Sequence, residues 1–199
     1  MSSVRRILVA SVVSVVLMTA FLGFAYPALM AGFASVTFPS QAAGSLIRYH
    51  GQVVGSALAA QGFSSPAAFH ERPSATSPAY NAAGTTFSNL GPTNPALATL
   101  VKQNAAAVLK LERPYNPGLT VHDIPVDAVT TSGSGIDPDI SPAYAQLQAR
   151  RIAAVRHLPL ATVQQLISKY TTGRSWGFFG EAGVNVLELN LALGRQGGP

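Results

Sequence analysis

Between Arg6 and Arg48 the chain carries no charged side chain, and Ile7 to Tyr26 is almost wholly apolar. At about 1.5 Å rise per residue, a helix over that apolar run is roughly 30 Å long, the thickness of a bilayer's hydrocarbon core. After Pro39 the pattern changes to mixed polarity, scattered charge and frequent turn residues. The expected organisation is a tail over 1–6, a membrane helix over 7–29, an interfacial linker over 30–44 and one α+β domain over 45–199.

A cleaved secretory signal would carry a shorter apolar core of roughly 7–15 residues followed by a small-residue cleavage site. Here the run is longer, and the small residues Ala31 to Ala34 lie too far downstream. Arg5-Arg6 lacks the polar and aromatic neighbours of a twin-arginine export signal. The segment therefore reads as a retained anchor. Two arginines precede the span and none follows until Arg48, which by the positive-inside rule puts the N-terminus in the cytoplasm and the large domain outside. Tyr26-Pro27 fits the outer interface, where a tyrosine anchors and a proline bends or ends the helix. Ala10, Ser11, Ser14, Thr19, Ala20 and Gly23 are small enough for close helix approach in lipid. They suit packing on a partner helix and plain anchoring equally well.

A region of about 160 residues builds one buried core. Zero cysteines exclude disulfides, thiolate metal sites and cysteine nucleophiles. Of thirteen Lys and Arg residues, eleven remain once Arg5 and Arg6 are set aside, against eight acidic ones, a net of +3. With no dense basic run, nucleic acid is not an expected partner.

Ser45–Tyr49 and Gln52–Ala60 read as a short strand or a hairpin, with Gly51 near the turn. Residues 61–95 are rich in turn formers around isolated aromatics (Phe63, Phe69, Tyr80, Phe87), the pattern of a packed irregular loop. Asn94-Pro95 caps and opens a helix that ends at Pro114. Ile124–Thr130 reads as a buried strand. Ser141-Pro142 opens another helix to about His157, and a short one spans Leu160–Tyr170. Val184–Leu193 suits a helix face but also alternates as a strand would; helix is the expectation.

Chemistry is sparse. His50, His70, His122 and His157 lack metal-ligand spacing and read as isolated surface or capping residues. Ser134 sits between glycines, but no G-x-S-x-G nucleophile elbow surrounds it, so a tight turn is expected of Ser134 and Asp137. Asp137 and Asp139 flank Pro138 as a turn and cap would. No phosphate-binding glycine motif is present. In Phe69-His70-Glu71-Arg72-Pro73-Ser74-Ala75, an arginine before proline presents a five-donor fork from an extended backbone. It can tie down the long loop or meet a partner's carboxylate, and the internal tie is the stronger reading.

Several segments in order carry a resemblance: Ser45-Leu46-Ile47, Gly55-Ser56-Ala57-Leu58, Phe69 with Arg72-Pro73-Ser74-Ala75, and Ser88-Asn89-Leu90. Val129-Thr130 through Ser134-Gly135-Ile136-Asp137-Pro138, Ile140-Ser141-Pro142 and Val184-Asn185-Val186-Leu187-Glu188-Leu189-Asn190-Leu191-Ala192-Leu193 continue it. The chain resembles the C subunits of Kdp-type potassium-transporting ATPases over the anchor and nearly all of the domain. Ala67 to Glu71 departs from the family pattern, and Lys110–His122 carries no recognised motif.

The resemblance implies an accessory, catalytic-chaperone-type subunit of a high-affinity potassium uptake complex in the plasma (inner) membrane, itself neither ATPase nor pore. Its partners would be a P-type ATPase subunit, a potassium-channel-like subunit and the bilayer, with ATP and K+ handled by the complex. No catalytic or metal residue and no directly bound cofactor is expected. With the domain outside, any effect on ATP has to be transmitted through the complex. Nucleotide contact is left open, with Gln164 and Gln165 as candidates that otherwise read as helix-surface residues. Ser14, Gly23, Phe69, Arg72, Pro73 and Asn89 are the candidate partner contacts. The competing class is an independent anchored envelope binding protein or hydrolase, for which Ser134 would be the residue to test.

Overall fold

The computed structural model describes residues 3–196. The ends of the expected tail and domain, residues 1–2 and 197–199, lie outside the described residues. The chain divides into two compact units, Met1–Leu46 and Ile47–Pro199.

In the first unit, α1 (Ser3–Ala20) passes through one wide π turn (Phe21–Ala25) into α2 (Tyr26–Thr37), and a short α3 (Pro39–Ala42) follows. Neither long helix has a buried residue, as expected of a segment apolar on every side and solvated by lipid. The helix was expected to bend or end at Pro27 and give way to a linker at residue 30. Instead it continues to Thr37. Pro27 has no N–H to give back to the preceding turn, and its ring crowds the carbonyl four residues earlier. The π turn opens the helix there: the Tyr26 N–H reaches back five residues to the Phe21 carbonyl. That extra slack lets the helix absorb the proline.

The second unit is α+β. β1 (Leu46–Tyr49) and β2 (Gln52–Ser56) form the expected hairpin, though it ends at Ser56 rather than Ala60. Its two-residue turn holds His50 and Gly51 at φ 48° and 80°, the paired positive values of a type I′ turn. Residues 57–93 have no helix or strand.

α4 (Pro95–Glu112) starts where Asn94 Oδ1 accepts the Ala96 N–H at 2.9 Å. α5 (Pro142–Val155) starts where Ser141 Oγ accepts the Tyr144 N–H at 3.0 Å. Asp127 accepts both the Ser141 N–H and hydroxyl, at 2.7 and 2.9 Å. Past its last residue Val155, α5 is closed by His157, held at φ 56°, with the Leu158 N–H returning to the Ala153 carbonyl. α6 (Leu160–Lys169) packs on α5 through Val163, Leu166 and Ile167.

A three-stranded antiparallel sheet runs in the order β3 (Asp139–Ile140), β5 (Gly183–Asn185), β4 (Thr171–Thr172). Asp139 pairs with Asn185 and Thr171 with Val184. α7 (Val186–Gln196) leaves β5 directly. The ambiguous last segment thus divides between both readings, with Val184 in a strand and the rest helical. Phe69, Ile152, Val163, Ile167, Val184, Val186, Leu189 and Leu193 form the centre of the core.

Ile124–Thr130 is not a strand. It forms a short 3₁₀ turn over Val126–Ala128, following another over Val121–Asp123. Pro125 removes a ladder donor near the start of the run, and Asp127 is committed to holding Ser141, the cap of α5. Only Ala128 and Val129 are buried; Val126 is exposed.

Candidate functional site

The long irregular segment is held by side chains reaching it from helices far away in sequence. On α5, Tyr144, Gln148, Arg151 and Ile152 share a buried face. On α7, Asn190 lies in the apolar stripe between Leu189 and Leu193. These polar residues do not look outward. Asn190 Oδ1 accepts the Phe69 N–H at 2.7 Å, and its Nδ2 donates to the Phe69 carbonyl at 3.0 Å. Gln148 treats the next residue alike, accepting the His70 N–H at 2.8 Å and donating to its carbonyl at 3.0 Å. Two side-chain amides thus stand in for a β-partner along Phe69-His70, satisfying backbone groups that burial would otherwise orphan.

Arg151, fully buried, completes the clamp. Its Nε donates to Glu112 Oε1 at 2.7 Å, and its other nitrogens donate to the Pro66 and Ala68 carbonyls and to Gln148 Oε1. Glu112 Oε2 is buried without a partner. Burial raises the Glu112 pKa, and the Arg151 charge opposes the rise. Such a pair contributes little net stability but is costly to break, because the survivor would be a bare buried charge.

Glu71 accepts the backbone N–H groups of Gln61 and Phe63 at 3.2 and 3.1 Å. Burial raises its pKa against those hydrogen bonds. Tyr80, pushed up to about 12 by burial and the Glu71 carboxylate, donates to the Arg72 carbonyl at 3.1 Å. Its ring packs against Gly62, where a Cβ would collide with it and where φ is 72°. His70, lowered by burial, lies with Nε2 2.9 Å from the Ser65 carbonyl. Together with Phe63, Asn104 and Tyr144 these groups line a pocket of about 190 Å³.

Arg72 is tied inside the chain. Its guanidinium pairs with Asp137 Oδ2 at 3.0 Å and donates to the Thr131 carbonyl at 3.4 Å. Ser74 adds a second tie to the same turn, donating to the Gly135 carbonyl at 2.6 Å. Ser134 Oγ accepts the Ile136 N–H and Asp137 Oδ1 the Asp139 N–H, which makes both residues turn formers. Asp127, Asp137, Asp139, Glu181 and Arg72 line a cleft of about 370 Å³. Burial and the neighbouring Asp137 raise the Asp139 pKa. Among the described residues no group of three or more His, Asp or Glu is placed to hold a metal ion.

The structure separates the candidate contacts. Phe69 is 0% exposed, so its side chain belongs to the core and offers no surface to a partner. Arg72 and Pro73 are half-buried in the tied loop, and Asn89, at φ 55°, is exposed. Ser14 and Gly23 are exposed along the apolar helix. Gln164 and Gln165 sit on the outer face of α6, with Gln164 reaching Gln146 at 3.4 Å. His50, His122 and His157 are exposed. Sequence reasoning missed Gln148, Arg151 and Asn190. The available signal was a polar residue at a buried position of an apolar helical stripe, which has to find a partner inside.

The hydroxyl and carboxylate that meet in the cleft, Ser141 and Asp127, are spent on the start of α5. What the arrangement provides is an irregular segment braced from within by Asn190, Gln148 and Arg151. Comparison with known proteins gives the family. Residues 8–195 match the family model KdpC, the c chain of K+-transporting ATPase. A potassium-transporting ATPase KdpC subunit of Acidobacterium capsulatum is 49% identical over 196 residues, covering 98% of this chain and 100% of the relative. That of Methylococcus capsulatus is 51% identical over 88% of this chain and 90% of its own length. That of Variovorax paradoxus is 51% identical over 89% and 90%. The chain belongs to the KdpC family, the C chains of potassium-transporting ATPases.

Proposed function

We propose that this chain is a non-catalytic accessory subunit of an ATP-driven potassium uptake complex, required for assembly and for coupling ATP turnover to K+ transport. The observation that carries the reading is the Ser3–Thr37 helix. It spans 35 residues with none of its most apolar stretch buried, and it is the one helix among the described residues long and apolar enough to cross a membrane. A single helix cannot enclose an ion path, so the pore belongs to another subunit, and on the accessory reading the phosphorylated site does too. Arg5 and Arg6 at its start keep the N-terminus cytoplasmic and the domain outside. The domain's polar side chains are largely spent on its own loop, which supports a docking role over catalysis. ATP then lies across the membrane from the domain, and Gln164 and Gln165 have no nucleotide to meet.

Ser14 and Gly23 are the proposed contacts with a partner's membrane helices. Pro73, Asn89 and the Arg72 turn are the proposed contacts with the channel-like subunit. The test is co-purification of the tagged full chain with co-expressed ATPase and channel-like subunits. Recovery of all three together supports the reading, and elution of the chain alone contradicts it. Arg72→Ala separates tie from dock: a folded variant that fails to assemble assigns Arg72 to docking. One that assembles normally confines it to the loop.

A further inference from the structure

Between β4 and β5 the chain makes a tight turn that the fold does not account for. Trp176, Phe178 and Phe179 are 88%, 63% and 59% exposed. Phe178 and Phe179 touch each other, with ring centroids 4.2 Å apart. The turn closes on itself: Ser175 and Phe179 form an antiparallel bridge, and the Gly177 N–H returns to the Arg174 carbonyl at 3.0 Å. At its base both oxygens of Glu181 accept from Arg174 Nη2 at 2.7 Å. Trp176 is held at φ 56°, a left-handed conformation that a bulky residue rarely adopts. Three largely exposed aromatic rings therefore share one turn, one of them on strained backbone.

We propose that this aromatic tip, Trp176-Gly177-Phe178-Phe179, seats in the headgroup region of the bilayer that holds the chain's own helix. The inference rests on the membrane-anchored reading above. Three observations favour lipid as the occupant. Helix α2 ends at Thr37 and the domain begins at Ile47. The nine residues between can span at most about 30 Å at 3.3–3.6 Å each, which tethers Ile47 within that reach of the helix end. Trp is a residue that a wet–apolar boundary favours, the indole N–H facing headgroups while the ring enters the acyl edge, and Phe adds apolar area on the lipid side. Finally, Arg174 and Glu181 are the only charged residues from Thr171 to Asn185, and they pair with each other. The tip therefore brings no unbalanced charge to the boundary.

Trp176 is the only tryptophan in the chain, so its fluorescence reports on the tip without any substitution. The full chain would be reconstituted in phosphatidylcholine–phosphatidylglycerol vesicles, with and without bromines on the upper acyl carbons, and iodide supplied to both faces. The expected result is a blue-shifted emission, strong loss of intensity with brominated lipid, and protection from iodide. Phe178→Ser with Phe179→Ser should shift the emission back toward red and weaken the bromine quenching. A chain that resists carbonate extraction while Trp176 stays iodide-accessible and unquenched overturns the proposal but leaves the anchor intact. Shielding without bromine quenching that requires the channel-like or ATPase subunit overturns it in favour of a protein partner. Shielding without bromine quenching that grows with chain-to-lipid ratio overturns it in favour of a second copy. A chain extracted by carbonate overturns the anchored reading and this one with it.

Discussion

Two irregular segments of the domain carry aromatic side chains, and they use them in opposite ways. Around Phe69, the backbone is bound by Asn190 and Gln148, and the ring is wholly enclosed. Around Trp176, the backbone bonds only to itself and the ring is almost wholly free. The first segment is irregular because distant side chains replace a ladder. The second is irregular because it is a turn that holds rings away from the core. Irregular backbone thus marks two different demands here: internal bracing at residues 61–80, and presentation at residues 174–181.

The contrast is sharpest in the effect of removing a group. Arg151→Ala leaves Glu112 as a buried charge with no counter-ion and two loop carbonyls unserved. It should cost about 3–5 kcal/mol in chemical unfolding of the full chain in detergent, while Arg151→Met combined with Glu112→Leu recovers most of the loss. If the double variant is as unstable as the single one, the pair is not the brace described. Phe69→Ala empties the core centre and should cost about 3–5 kcal/mol. Trp176→Ala, at an exposed site, should stay within about 0.5 kcal/mol. Equal losses at the two positions would erase the distinction between the segments. Asn190→Leu keeps the volume but strands the Phe69 N–H and carbonyl, for an expected loss of about 2–4 kcal/mol.

The smallest expected effect is in pH. His70 is depressed below its ordinary value of 6.5, chiefly by burial. Below 6.5 the unfolded chain takes up a proton that the folded chain resists, so stability present above that pH is lost as pH falls toward the folded value. Glu71 and Glu112 act the other way: their raised values favour the folded chain at low pH, a contribution lost as pH rises from 4.5 through the folded values. His70→Gln should flatten the decline just below pH 6.5 and leave the carboxylate part of the curve unchanged, in a series of thermal melts.

The long apolar helix was legible because one property, absence of charge over a bilayer's width, marks it without tertiary context. So were the starts of α4 and α5, where Asn94 and Ser141 act within three residues of themselves. The continuation through Pro27 was not legible, since a π turn five residues long leaves no compositional mark. Ile124–Thr130 misled because β-branched residues outweighed Pro125 and the distant demand of Ser141 for Asp127. The braces escaped for a related reason: Asn190 and Phe69 are 121 residues apart, Gln148 and His70 78 apart. Periodicity shows which helix face is buried, but not which loop a buried amide will bind. Arg72 was legible as an internal tie, because the fork and the extended pre-proline backbone are local. Its acceptor on the Asp137 turn was not.

The role of the chain in the complex is tested most directly by potassium-stimulated ATP hydrolysis, measured on the purified ATPase and channel-like subunits with and without this chain. The account predicts that turnover collapses without the chain and returns when the full chain is restored, while the chain alone hydrolyses nothing. Undiminished turnover in its absence, or an activity of the isolated chain that Ser134→Ala abolishes, would contradict it and favour an independent envelope protein.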